Sequence, residues 1–185
     1  MKEFPLEYPS LVLKEKIKSE GDDHYRYALN IPLSDQPKNK VVVIMKNPSV
    51  ASHTNGDQTA NRVINYCHRK GFDYITIVNL FAYRTPDAKT LKTKAGEIDI
   101  IGPENDSHIH RAIEDADTVI LAWGNYPAGL KAKYDNRVRN ILQLIEGKNL
   151  FYIDKISNKG IYPLHGMVWG YKMEMLPFIP EKMGV

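Results

Sequence analysis

Cysteine is almost missing from this chain of 185 residues. The single thiol, Cys67, excludes an internal disulfide and fits a reducing, cytoplasmic setting. Long apolar runs are missing as well. None approaches the roughly 18 residues of a membrane span, and Met1-Lys2-Glu3-Phe4-Pro5 lacks the apolar stretch of a secretory leader. A cytoplasmic protein with no membrane partner is expected. Charge of one sign is scarce: 25 basic and 22 acidic residues leave a net charge of +3. That neither demands nor excludes nucleic acid, because a local patch matters more than the sum. No internal repeat or low-complexity tract occurs. The phosphate-loop patterns G-x-x-x-x-G-K-[ST] and G-x-G-x-x-G are absent. So are Cys-x-x-Cys and His-Glu-x-x-His, and His108 and His110, two apart on an expected helix, do not share a face. Neither a metal nor a cofactor is expected.

What is present is an alternation of apolar runs and helical stripes. Val41 to Met45 and Tyr74 to Val78 are continuous, β-branched runs, as strands buried on both faces require. Thr59 to Arg69 predicts a helix with Val63, Ile64 and Cys67 on one face. Gly102-Pro103-Glu104-Asn105-Asp106 opens another, with Ile109, Ala112, Ile113 and Ala116 as its stripe. Thr118 to Trp123 and Leu150 to Ile153 are further strands, separated by a helix through Val138, Ile141 and Ile145. This predicts a single α/β domain over residues 1–185: a three-layer α/β/α sandwich around a mainly parallel sheet of about four strands. Residues 1–40 are an N-terminal extension with an edge strand between His24 and Leu33, residues 41–165 the core, and residues 166–185 a tail.

Ligands of open α/β sheets sit at the carboxyl ends of the strands. There the first buried run delivers Lys46-Asn47-Pro48-Ser49 and the second delivers Asn79-Leu80-Phe81-Ala82-Tyr83-Arg84. An asparagine carries an acceptor and a donor, so it can read a base edge or hold a water; it can equally cap a turn. Two of them on adjacent strands point to a site for a nucleobase, nucleotide or nucleic acid. Arg84 suits a phosphate or a surface ion pair. Phe81 and Tyr83 suit base stacking or, for Phe81, core packing. Gly124-Asn125-Tyr126-Pro127-Ala128-Gly129 suits a phosphate-binding turn or an ordinary tight one. Ser49 has no local histidine to activate it, and Cys67 lies on an apolar stripe, so covalent catalysis is poorly supported. His165, after the fourth strand, is a catalytic or a structural histidine. Lys46, Lys89, Lys92 and Lys94 would form a basic rim for nucleic acid.

Several blocks carry a resemblance: Ile44-Met45-Lys46-Asn47-Pro48-Ser49, Asp57-Gln58-Thr59 with Arg62, Val78 to Arg84, Ile101 to Asp106, and Ala122-Trp123-Gly124. From about Val41 to His165 the chain resembles the uncharacterised bacterial and phage family called domain of unknown function 1643. That family's closing motif usually has His-Pro, whereas His165 is followed by Gly166. More distantly, the motif order is similar to that of the uracil-DNA glycosylase superfamily. Met45-Lys46-Asn47-Pro48 matches its Gly-x-Asn-Pro motif except that Met45 replaces the glycine, and Asn79, Arg84 and Pro86 match an Asn-x-x-x-x-Arg-x-Pro spacing.

This likeness implies a parallel strand order 2-1-3-4 and, for a glycosylase, defined roles. Asn47 would position water, Asn79 read the base, Phe81 or Tyr83 stack on it, and His165 donate to the departing base. Asn47 cannot act as a general base, so catalysis would be electrostatic. A non-catalytic module that keeps the pocket, and a hydrolase of free nucleosides or nucleotides, are the alternatives. As a loop residue, Asn47 is expected to contribute little to stability.

Overall fold

Two β-branched runs form the centre of the sheet. In the computed structural model, which describes residues 5–85, 90–157 and 162–180, β3 (Lys40–Met45) and β4 (Tyr74–Asn79) pair in parallel. Nearly every side chain of both strands is buried, because helices cover both faces. Parallel β5 (Thr118–Leu121) flanks β3, and parallel β6 (Leu150–Ile153) flanks β5. The four parallel strands thus stand in the order β4-β3-β5-β6, which is 2-1-3-4 by position among them.

The sheet is wider than the expected four strands. Antiparallel β2 (Arg26–Pro32) pairs with β4, β1 (Lys18–Gly21) pairs with β2, and β7 (Met175–Pro177) closes the other side on β6. Seven strands run in the order β1-β2-β4-β3-β5-β6-β7. So β2 is an inner strand, not an edge. The short β1, Lys-Ser-Glu-Gly, has no apolar alternation to announce it. The tail supplies β7 and a 3-10 turn at Gly166–Val168.

The helices divide between two cores. Helix α1 (Gln58–Arg69) lays Ala60, Val63, Ile64, Tyr66 and Cys67 against Val41, Val43, Met45, Ile75 and Ile77. On the opposite face, α2 (Thr90–Lys94), α3 (Asn105–Glu114) and α4 (Lys131–Leu144) contribute Leu91, Ile109, Ile113, Tyr134, Val138 and Ile141 to a core with Val42, Ile44, Val78 and Leu121. The period of two along each strand makes this division.

One irregularity matters. Glu20 pairs with Ala28 but Gly21 pairs with Arg26, so Tyr27 is a bulged extra residue. The bulge breaks the alternation that Tyr25, Tyr27, Leu29 and Ile31 suggest. The Tyr27 ring stacks on His108 of α3, with centroids 4.7 Å apart, while the Arg26 guanidinium reaches the other face and donates to the Ala51 carbonyl at 2.6 Å. Among the described residues no helix is long and apolar enough to cross a membrane.

Candidate functional site

The central strands do not splay where β3 and β4 end. Leu80 N donates to Met45 O at 2.8 Å, Phe81 N to Lys46 O at 2.9 Å, and Thr85 N to Pro48 O at 3.0 Å. The two loops therefore run side by side past the sheet edge. Asn47 fastens them together. Its Nδ2 donates to the carbonyls of Thr85 at 2.9 Å and Pro48 at 3.1 Å. The donor end of this amide is thus occupied by main chain, and Oδ1 is the end available to a water or ligand.

Asn79 is the last residue of β4 and lies directly opposite Met45 in the ladder. It shares the α1 face with Ile75 and Ile77, by the same alternation. It is 0% exposed, and among the described residues neither Oδ1 nor Nδ2 has a partner. A buried amide left so costs about 1–3 kcal/mol for each unmade bond. Such a group calls for an explanation: an ordered water, an ion, strain or a functional role. In the first loop, Ser49 Oγ is also buried and has no partner among the described residues.

His165 reaches this edge from the far end of the chain. Gly124 N donates to Pro163 O at 2.9 Å, and Gly124 has φ +65°. A Cβ on Gly124 would stand 2.9 Å from His165 Cβ, so glycine is needed there for both conformation and contact. On the other side, a Cβ on Gly166 would lie 2.7 Å from Val63 Cγ2 and 3.3 Å from Met45 Sδ. His165 is thereby held between the β5 loop and the first turns of α1. Its Nδ1 accepts from Met167 N at 3.2 Å, which puts the proton of the neutral ring on Nε2. Burial, and then the charge of Lys46, push the imidazole pKa down to about 3. This ring is a neutral hydrogen-bond donor at physiological pH, not an acid.

Lys46 is half-buried, and burial lowers its pKa to about 8. Among the described residues no carboxylate pairs with it. A cation held beside a neutral donor suits an anionic or electron-rich ligand.

The other expected site residues are placed differently. Phe81 is fully buried, 6.0 Å from the Tyr134 ring in the opposite core, so it packs and offers no face to a base. Tyr83 bridges to Tyr25 and meets its ring edge-on at 6.1 Å. Arg84 N donates to His24 O at 2.9 Å. Its charge is felt at Asp22, whose carboxyl is held low first by the Tyr25 and His24 backbone N–H groups and to a lesser degree by His24 and Arg84. Arg84 therefore belongs to the β1–β2 turn. In the expected basic rim, Lys94 pairs with Glu97 at 2.7 Å, and the end of the Lys92 chain lies against Gly129. Lys89 lies outside the described residues.

Several supporting residues carry no signal in the sequence. Asn105 Nδ2 donates to Asn79 O at 3.0 Å and Leu80 O at 3.2 Å, and Arg137 Nε donates to Leu80 O at 2.7 Å. Arg137 also lies 2.6 Å from an Asp106 carboxylate oxygen, close enough to pair in charge though not aligned for a hydrogen bond. Tyr134 OH bonds the carbonyls of Trp123 and Gly124 at 2.9 and 2.8 Å. These side chains satisfy carbonyls that the ending strands would otherwise leave bare. Asp57 caps α1 by accepting from Ala60 N at 2.7 Å, and holds the loop through Ala51 N at 3.2 Å. A polar residue at a helix start is a visible signal for the cap. The carbonyl contacts span up to 57 residues and have none.

No curated protein and no solved structure matches this chain. A family model does match, over residues 26–166, and this interval holds β2 through β6 together with Asn47, Asn79 and His165. The chain belongs to the family described as protein of unknown function (DUF1643).

Proposed function

We propose that the carboxyl edge of the parallel strands binds a nucleobase, presented on a nucleotide or nucleic acid. The observation that carries the reading is Asn79, a buried amide with both polar atoms unpartnered. A base edge offers an acceptor beside a donor and would complete both bonds. The neutral His165 and Lys46, which pairs with no carboxylate among the described residues, add a donor and a positive charge.

The same set suits hydrolysis of an N-glycosidic bond in a three-layer, glycosylase-like fold. Asn47 Oδ1 would hold the attacking water, and the His165 Nε2–H would stabilise negative charge on the leaving base. Lys46 would bind a flanking phosphate. A single buried thiol suits a cytoplasmic setting. The deciding experiment is release of free base from oligonucleotides containing uracil or modified pyrimidines, and separately from free nucleotides. Release that disappears in Asn47→Ala and His165→Ala sustains the enzyme. Release unchanged in both removes it.

Met45 favours a second reading, a non-catalytic binding module. It is only 4% exposed and occupies the ladder position opposite Asn79. In this reading wild-type protein binds a base without cleavage. Met45→Gly would then widen the pocket and raise affinity for it.

A further inference from the structure

The surface beside His165 is formed by two segments without a single acid. No Asp or Glu occurs between Asp57 and Asp73, which includes all of α1, or between Asp154 and Glu174, which includes His165 and the 3-10 turn. These segments pack on each other. The Tyr66 and Trp169 rings are 5.1 Å apart, and Tyr66 OH donates to Met173 O at 3.1 Å. Between them lies a groove of about 290 Å³ lined by Arg62, Asn65, Tyr66, Arg69, Trp169 and Tyr171. Tyr171 is 64% exposed, unusual for so large a ring. The Arg69 guanidinium lies 5.1 Å from its centroid and Lys172 Nζ 5.9 Å. Neither cation, nor Arg62, pairs with an acid among the described residues. Asp154 and Glu174 bound the second segment, and their charges help raise the Tyr66 hydroxyl pKa after burial and Cys67.

We infer that this groove is a track for a single-stranded polynucleotide, an inference that rests on the nucleobase reading of the adjoining site. Cations spaced along a helix meet successive phosphates, and an exposed aromatic ring stacks on a base of any identity. Duplex DNA hides its base faces, so the exposed Tyr171 ring favours an unpaired strand. The second segment starts near His165, and the 3-10 turn that follows it packs on the first turns of α1, where a Cβ on Gly166 would stand 2.7 Å from Val63 Cγ2. A strand lying along α1 would bring one base to Asn79 and leave its neighbours on Tyr171. The cations concerned are not those of the 89–94 segment, where Lys94 is already paired.

The test is anisotropy of a labelled oligothymidylate of about 12 nucleotides, titrated with full-length protein at several salt concentrations. Alongside it, thymidine monophosphate binding is followed by calorimetry. All substituted positions are at the surface, so folding is retained and is checked by circular dichroism. In Arg62→Gln/Arg69→Gln/Lys172→Gln the strand affinity should fall at least ~10-fold at low salt. Its log–log salt slope should shrink by about 2, at roughly 0.7 per lost phosphate contact. Tyr171→Ala should lose about 10-fold with the slope unchanged. Mononucleotide binding should not move in either variant. Strand affinity equal to wild type in both variants would overturn the track, as would the absence of strand binding by wild-type protein, whereas the base site stands or falls with the mononucleotide. Tighter binding of duplex than of single strand would overturn the choice of an unpaired strand.

Discussion

Met45 and Asn79 face each other on the final rung of the β3–β4 ladder, an apolar side chain opposite an amide with no partner. Buried strand ends tolerate such a pair only at a cost in stability, and that cost is why the proposed site is centred on Asn79.

Asn79→Leu tests the relationship directly. The substitution keeps the branched shape at a somewhat larger volume and removes two unsatisfied groups, while the Asn79 carbonyl retains its bond from Asn105. Urea unfolding should show a gain of about 1–2 kcal/mol, and base binding should be lost. A variant that binds as wild type would remove Asn79 from the site.

Asn47 departs from what a loop asparagine suggests. Because its Nδ2 ties two main-chain carbonyls, one of them 38 residues away, Asn47→Ala should cost about 1–2 kcal/mol. Asn47→Asp lacks the donor and should lose as much, although it keeps an oxygen where Oδ1 stands. Equal denaturation midpoints for wild type and both variants would show that the clamp contributes nothing in solution.

His165 should make the fold acid-sensitive. Its folded pKa, about 3, lies below the usual 6.5, so the unfolded chain takes up the proton first. The stability contribution is complete above about pH 6.5 and is lost as pH falls from there toward 3. The loss is at most about 1.4 kcal/mol per pH unit. His165→Gln should flatten the difference between pH 7 and pH 5 in urea titrations. An imidazole resonance of His165 that titrates near pH 6.5 would contradict this.

Lys46 gives a separate alkaline signature. Its folded pKa of about 8 lies below the ordinary 10.5, so the unfolded chain binds the proton more tightly and stability should rise from about pH 8 toward 10.5. Binding of a nucleotide phosphate should change the opposite way, weakening above pH 8 as the ammonium is lost. Lys46→Met should abolish both trends. Nucleotide affinity that stays level across this range in wild type would show that Lys46 does not meet the phosphate.

Much of this architecture can be read from the chain. Val41–Met45 and Tyr74–Val78 could only be strands covered on both faces, and the helix stripes at Val63, Ile64 and Cys67 and at Ile109 and Ile113 supply the cover. These are local periodicities, and burial follows from them. That Asn47 and Asn79 leave neighbouring strands at the same edge also follows from sequence, because successive parallel strands present their carboxyl ends together. What sequence could not decide was set by tertiary contact. The Tyr27 bulge depends on the register against β1, so no pattern within β2 discloses that Tyr27 stacks on His108 of α3 while Leu29 and Ile31 pack on the α1 face. Phe81 packs on Tyr134 instead of facing a ligand because α4 lies there. Asn47 became a clamp because Thr85 lies alongside it, and Asn79, beside Met45 in the ladder, finds no side-chain partner among the described residues. Periodicity determines which face of an element is buried; the partner of each polar atom is determined by residues far away in the chain, and function at this edge is a matter of partners.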